Sequence, residues 1–133
     1  TEYLDMDKPA AVSTYKDLLV YQKAKLLTVD IIKYFSKFNT SRSKEFIFNQ
    51  LFRAISSVGA NLAEGFGRNY SRSFRQFVSI ARGSAFETEY WLEIVLDLDS
   101  FDSKIISEFI QRNNKICRML SGLMKNMKGG KQL

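Results

Sequence analysis

Gln50-Leu51-Phe52-Arg53-Ala54-Ile55-Ser56-Ser57-Val58-Gly59-Ala60-Asn61-Leu62-Ala63-Glu64-Gly65-Phe66-Gly67-Arg68 carries two interleaved periodicities. Gln50, Arg53, Ser57, Asn61, Glu64 and Arg68 follow steps of 3, 4, 4, 3 and 4. At 3.6 residues per turn these positions share one side of a helix. Ile47, Leu51, Ala54, Ile55, Val58 and Leu62 form an apolar stripe beside it. The segment therefore reads as an amphipathic helix from about Ser43 to Phe66. Ser43 is the expected N-cap, and Gly65 and Gly67 the expected stop, with glycine supplying positive φ in the turn that follows. The polar side is unusual, because solvated helix faces are ordinarily rich in Lys and Glu. This one mixes amides, a hydroxyl and both charge signs. A chance solvent stripe is the plainer alternative. The composition favours a partly buried network, structural within the chain, at a subunit interface or around a ligand, since an unpaired buried polar group costs about 1–3 kcal/mol.

Three further segments have helical spacing. The first runs from about Tyr15 to Phe38, with Leu18, Leu19, Gln22, Ala24, Leu26, Leu27, Val29, Ile31, Ile32 and Phe35 on its apolar stripe. The third runs from a capping Ser71 to about Leu98, with Phe74, Phe77, Val78, Ala81, Ala85, Thr88, Leu92, Val95 and Leu98 facing inward. Asp99-Ser100-Phe101-Asp102 is a turn, and Asp102 or Ser103 caps a fourth helix that frays at Gly129-Gly130. No segment alternates with period two, so a sheet is not expected. The fold class that follows is all-α, an antiparallel up-down-up-down four-helix bundle. Residues 1–14 read as a flexible N-terminal tail, 15–128 as the bundle and 129–133 as a C-terminal tail, and 133 residues suit a single domain.

Composition narrows the chemistry. Hydrophobic residues make up 45% of the chain and charged ones 26%, as in a globular domain. There is no His, which removes the commonest general base and metal ligand. Glu89 and Glu93 share a face, but a di-metal bundle needs Glu-x-x-His pairs. The single Cys117 has no His to activate it and reads as a small core or boundary residue in a reducing cytoplasm. No catalytic residue, cofactor or metal is expected, and the chain reads as a non-enzyme. No apolar run is long enough for a membrane span, and the first residues lack the apolar core of a signal peptide.

Charge is segregated. Residues 42–82 hold seven Lys/Arg against two Asp/Glu, residues 83–102 none against six, and residues 103–133 seven against one. Residues 1–41 are nearly balanced, with six against five. Clustered cations raise nucleic acid, RNA or DNA, as a partner; the plainer alternative is a set of solvated helix faces whose one acidic segment pairs with basic neighbours. The candidates are Arg68, Arg72 and Arg75, which flank the turn at the N-terminus of the third helix, and Lys104, Arg112, Lys115, Arg118 and Lys125 of the fourth. Glu64-Gly65-Phe66-Gly67-Arg68 lacks the spacing of a phosphate loop and follows no strand. Tyr90 and Trp91 lie in the acidic segment and read as core or interface anchors.

The polar stripe resembles the Q-x-x-R-A-x-x-S-[IV]-x-x-N-[IL]-A-E-G-x-x-R signature of the bacterial large-subunit rRNA intervening-sequence proteins, also called S23-like ribosomal proteins. Ser73-Phe74-x-x-Phe77-x-x-Ile80-Ala81-Arg82-Gly83-Ser84-x-x-Glu87 is similar to that family's second block. Asp17-Leu18-x-Val20-x-Gln22-Lys23-Ala24 resembles its first. The resemblance spans about Tyr15 to Leu98. It implies an up-down bundle, assembly into homopentameric rings and no established enzymatic activity. Some relatives are encoded within rRNA intervening sequences. A more distant one is a basic pentameric barrel that works with a reverse transcriptase and nucleic acid. The acidic run from Glu87 to Asp102 departs from a uniformly basic surface.

Two readings follow: an oligomeric, nucleic-acid-associated protein, and an assembly or adaptor module whose partner is another protein. In either, Arg53 is expected to pair with Glu87. The two sit at nearly equal distances from the turn between the second and third helices, about 3 Å apart in height.

Overall fold

A computed structural model describes residues 14–68 and 72–127, with Arg72 described by its backbone alone. Four helices follow one another: α1 Leu19–Phe35, α2 Arg42–Gly67, α3 Arg72–Leu98 and α4 Ser103–Met127. Each packs on its chain neighbours, and α4 closes back on α1, so the four form an antiparallel bundle. Residues 1–13 of the expected N-terminal tail, the Ser71 cap and residues 129–133 lie outside the described residues, while Thr14, expected in the tail, is described.

The first helix is shorter than its periodicity predicts. Thr14 accepts from the Lys16 amide, and Asp17 accepts from the Thr14 amide. This reciprocal cap closes a 3-10 turn over Tyr15–Asp17, and Leu18 is then extended before α1 begins. At the other end the bonds Lys37 N to Tyr34 O and Phe38 N to Phe35 O tighten the chain out of the α-helix. Inside α1, Leu18, Val20, Ala24, Leu27, Ile31 and Phe35 form the buried line. Leu26, Val29 and Ile32, expected inward, are exposed, as is Gln22. A helix apolar on more than one side cannot all face one core.

Ser41, not Ser43, caps α2, its hydroxyl accepting from the Lys44 amide. The helix also runs through both glycines expected to stop it. Gly65 is buried, and a Cβ there would run into Cβ of Phe77 on α3. Its role is close helix approach, and neither Gly65 nor Gly67 uses a left-handed φ. The positive φ among described non-glycine residues falls at Asp99, 55°, in the turn after α3. That turn is anchored by Phe101, whose ring packs edge-on against Phe35 at 5.2 Å and Phe38 at 4.9 Å. Asp102 then caps α4, accepting from the Lys104 amide at 2.9 Å. Leu98, expected inward, is exposed at the end of α3.

Ala81 and Ala85 on α3 are buried and let α4 approach. Asn113 crosses that seam, donating Nδ2–H to the Ala85 carbonyl at 2.9 Å. No described helix is long and apolar enough to cross a membrane.

Candidate nucleic-acid interface

The polar stripe of α2 is satisfied mostly within its own helix. Ser57 donates to the Ala54 carbonyl at 2.9 Å, and Asn61 donates to the Ser57 carbonyl at 2.7 Å. Arg53 donates to Gln50 Oε1 at 3.0 Å, and Arg68 pairs with Glu64 at 3.1 Å. Arg53 reaches across to α3, 3.6 Å from Glu87, whose carboxylate also accepts from Trp91 Nε1 at 3.4 Å. The side chains of the Arg53–Glu87 pair are 67% and 43% exposed. In the single chain the stripe is therefore half-buried at Gln50, Ser57 and Asn61 and exposed at Arg53, Glu64 and Arg68, a lattice of mostly local bonds clasped to α3 by Arg53. A seryl or amide side chain that bonds the carbonyl three or four residues back needs no partner elsewhere.

The cations divide into two groups. At the α2–α3 end, Arg68 is held by Glu64, and its guanidinium lies 5.4 Å from the centre of the Phe77 ring. Arg75 has its Nε buried without a hydrogen-bond partner among the described residues. Arg72 opens α3, and its side chain lies outside the described part. The expected anion site at this helix start is thus partly committed to other contacts.

The α4 group is more open. Lys104, Arg118 and Lys125 are exposed, while Arg112 and Lys115 are half-buried. Positions 104, 108, 111, 115, 118, 122 and 125 follow one outward line of the helix. Four of them are Lys or Arg, Gln111 and Gly122 are neutral, and Glu108 is the one carboxylate. From Lys104 to Lys125 this line is about 31 Å long at 1.5 Å per residue. Arg112 and Lys115 meet Lys23 of α1 around one cleft of about 100 Å³, floored by Leu26 and Ile116. Asp30 of α1 braces it, 2.9 Å from Arg112, in a pair only 31% and 38% exposed.

Lys23 is the residue the sequence reading missed. The near balance of residues 1–41 hid it, because three carboxylates lie within the first seven residues. From Tyr15 to Ser41 there are five Lys against two Asp, a basic excess visible once that leading stretch is set aside.

Cys117 lies on the opposite side of α4, against α3. Burial, reinforced by Glu89, pushes its thiol up to about 11. Its neighbour across the seam, Arg82, donates Nε–H to Ser121 at 2.8 Å and stacks on Phe86 at 5.2 Å. A protonated, enclosed thiol is a poor nucleophile. Among the described residues no three His, Cys, Asp or Glu side chains gather as metal ligands would.

Residues 16–122 match the family of the 23S rRNA-intervening sequence protein. A crystal structure of a protein of unknown function, from the S23 ribosomal protein family of Bacteroides thetaiotaomicron VPI-5482, is similar to this chain with a TM-score of 0.72 and 28% identity. The likeness covers 80% of this chain and 99% of that one. No protein of curated function matches the chain.

Proposed function

The chain belongs to the 23S rRNA-intervening sequence protein family, and from that premise we propose a non-enzymatic, self-assembling cytoplasmic protein that holds nucleic acid along α4. The observation that carries this reading is the outward basic line of α4, widened at its middle by Lys23 into a cleft that α1 and α4 share. Lysine and arginine arranged along a helix are suited to a phosphate backbone and carry no base readout. A line of about 31 Å spans about nine phosphate steps of one strand at roughly 3.4 Å each. Copies brought together in a ring, five by the family resemblance, multiply such weak contacts through avidity.

The family's name points to 23S rRNA, so structured RNA is the first probe, with duplex DNA of equal length beside it. Affinity for one chain's surface is of order 10⁻⁴–10⁻⁶ M at physiological salt, and its logarithm falls linearly with the logarithm of salt concentration. The test is a salt titration of wild type and of the triple variant Lys104→Glu, Arg118→Glu, Lys125→Glu, whose three residues are exposed. Wild type binds and the variant does not, while helical circular dichroism stays unchanged. Absence of wild-type binding at ~50 mM salt, where phosphate contacts are strongest, ends the nucleic-acid reading. The adaptor reading then takes its place, supported by the exposed Phe46, Tyr90 and Leu26.

A further inference from the structure

Two faces of the bundle are opposite in charge and alike in apolar content. On α1, Leu26, Val29 and Ile32 stand exposed, Leu26 at 58%. Lys25 and Lys33 stand exposed among them. Two depressions flank this ridge. One, of about 350 Å³, is shared by Lys16, Tyr21, Gln22, Lys25, Leu26 and Val29. The other, of about 170 Å³, continues over the α2 positions Ser56, Gly59, Ala60 and Ala63. The sole carboxylate of α1, Asp30, is already held by Arg112. The face is thus an aliphatic ridge with a lysine rim and small residues to one side.

The outer line of α3 is its counterpart. Ile80, Gly83, Phe86, Tyr90, Glu93 and Asp97 are all exposed, Tyr90 at 57%. A Cβ added at Gly83 would meet nothing within 4 Å, so the line has a gap where another backbone can come close. Residues 83–102 contain six carboxylates and no Lys or Arg. From Ile80 to Asp97 the line is about 26 Å long, and α1 is of nearly the same length at 17 residues.

A protein of net charge +6 repels its own copies unless oppositely charged surfaces meet. We infer that the α1 ridge of one chain docks on the outer line of α3 of a second copy, with Leu26 and Val29 against Phe86 and Tyr90, and the lysine rim of Lys25 and Lys33 along the acidic stretch that holds Glu93 and Asp97. The inference rests on the self-assembly half of the proposed function and names its two surfaces. Because they are different patches of one chain, the contact is head-to-tail, and repeating it closes a ring or extends a filament. It leaves Lys104, Arg118 and Lys125 of α4 uncovered for phosphate, and Leu26, which also floors the α1–α4 cleft, lies where the two surfaces adjoin. It also gives the exposed aliphatics of α1 a use that the monomer's core does not.

The test uses two charge-reversal variants of the full chain, Lys25→Glu with Lys33→Glu, and Glu93→Lys with Asp97→Lys. All four side chains are exposed. Circular dichroism checks that each variant folds, and light scattering reads the mass against 15.4 kDa for one chain. Wild type is expected as a multimer at micromolar concentration. Each variant alone is expected to associate roughly 100-fold more weakly, as like charges are forced together. A quadruple variant that carries both reversals in one chain is expected to regain the multimer, since at every contact each reversed face then meets a reversed partner. A monomeric wild type overturns the self-assembly reading and this inference with it. A multimeric wild type whose double variants keep its size, or whose quadruple variant stays dissociated, overturns the assignment of faces alone. Residues 1–14 hold Glu2, Asp5 and Asp7 beside Tyr3, Leu4 and Met6 and are a rival occupant of the lysine-rimmed ridge. If the Lys25→Glu, Lys33→Glu variant dissociates, the Glu93→Lys, Asp97→Lys variant does not, and deletion of residues 1–13 reproduces the dissociation, the ridge belongs to that segment and the inference fails.

Discussion

The α2–α3 seam and the α4–α1 seam are each spanned by an ion pair, and the two are built differently. Between α2 and α3, Gly65 lets Phe77 come close, and the Arg53–Glu87 pair lies outside at 3.6 Å, largely in water. Between α4 and α1, the Arg112–Asp30 pair is shorter, 2.9 Å, and more sheltered, and beside it Lys23 and Lys115 line a cleft. Packing carries the first seam, so its charges are ornamental to stability. The second seam is looser and its charges lie within it. A cleft whose walls hold cations in place is where an anionic ligand has most to gain, because partial burial weakens screening by salt.

The sharpest way to break this contrast is Gly65→Ala. A new Cβ meets the near end of the Phe77 side chain, which cannot swing away without moving α3. Overpacking of this kind costs about 3 kcal/mol, or roughly 12 °C in Tm for a chain of this length. Thermal denaturation followed by circular dichroism decides it. An unchanged Tm means the seam is not tight and the contrast is lost.

The second prediction concerns α4 itself, which is open outside and closed inside. With its thiol near 11 against an ordinary 9.0, Cys117 holds about 100-fold less thiolate at pH 8 than a free cysteine, and alkylates correspondingly more slowly. The raised value also fixes the direction with pH. The native thiol stays neutral between about 9 and 11 while the unfolded thiol ionises, so stability is full below 9 and declines as pH rises towards 11. Iodoacetamide labelling at pH 8 checks the rate. Labelling as fast as a model thiol means that the α3–α4 seam opens readily.

These contrasts were unequally legible in the sequence. The bundle, its four helices and the Arg53–Glu87 level followed from spacing alone, because 3.6-residue periodicity and a short turn fix which heights oppose. Burial did not. Leu26, Val29 and Ile32 satisfy helical spacing as well as Leu27 and Ile31 do, and only the placement of neighbouring helices separates them. Gly65 looked like a stop because glycine usually ends helices, yet here its missing side chain serves an interhelical contact. The cleft of Lys23 with Arg112 and Lys115 joins the first helix to the last, and no local pattern marks such a meeting. The small bond that moves the α2 cap from Ser43 to Ser41 is of the same kind, since both residues are competent acceptors.

A third prediction separates the two ion pairs. Asp30→Ala removes the partner of a largely sheltered guanidinium and is expected to cost about 1 kcal/mol, the upper end for pairs that keep some contact with water. It also leaves Arg112 uncompensated in the cleft, so binding to structured RNA at low salt is expected to strengthen a few-fold. Weaker binding instead means that Asp30 holds Arg112 in the productive geometry rather than competing with phosphate. Either sign is read directly from the salt titration.

The smallest effect is expected from Arg53→Ala. Its pair with Glu87 is long and exposed in the single chain, and such pairs contribute about 0–0.5 kcal/mol, so Tm moves by no more than roughly 2 °C. Arg53 also donates to Gln50, and Glu87 keeps the Trp91 indole when the guanidinium is gone, so neither neighbour is stranded. The measurement has most force when repeated across protein concentration. If the shift stays small at every concentration, the polar stripe faces water in the working protein. If it grows to several degrees only where the multimer forms, assembly has buried the pair, since a group enclosed by association stabilises by mass action and not within one chain. That outcome places the polar stripe of α2 at the rim of the α3 contact, where Glu87 lies one helical turn from Tyr90 and Trp91.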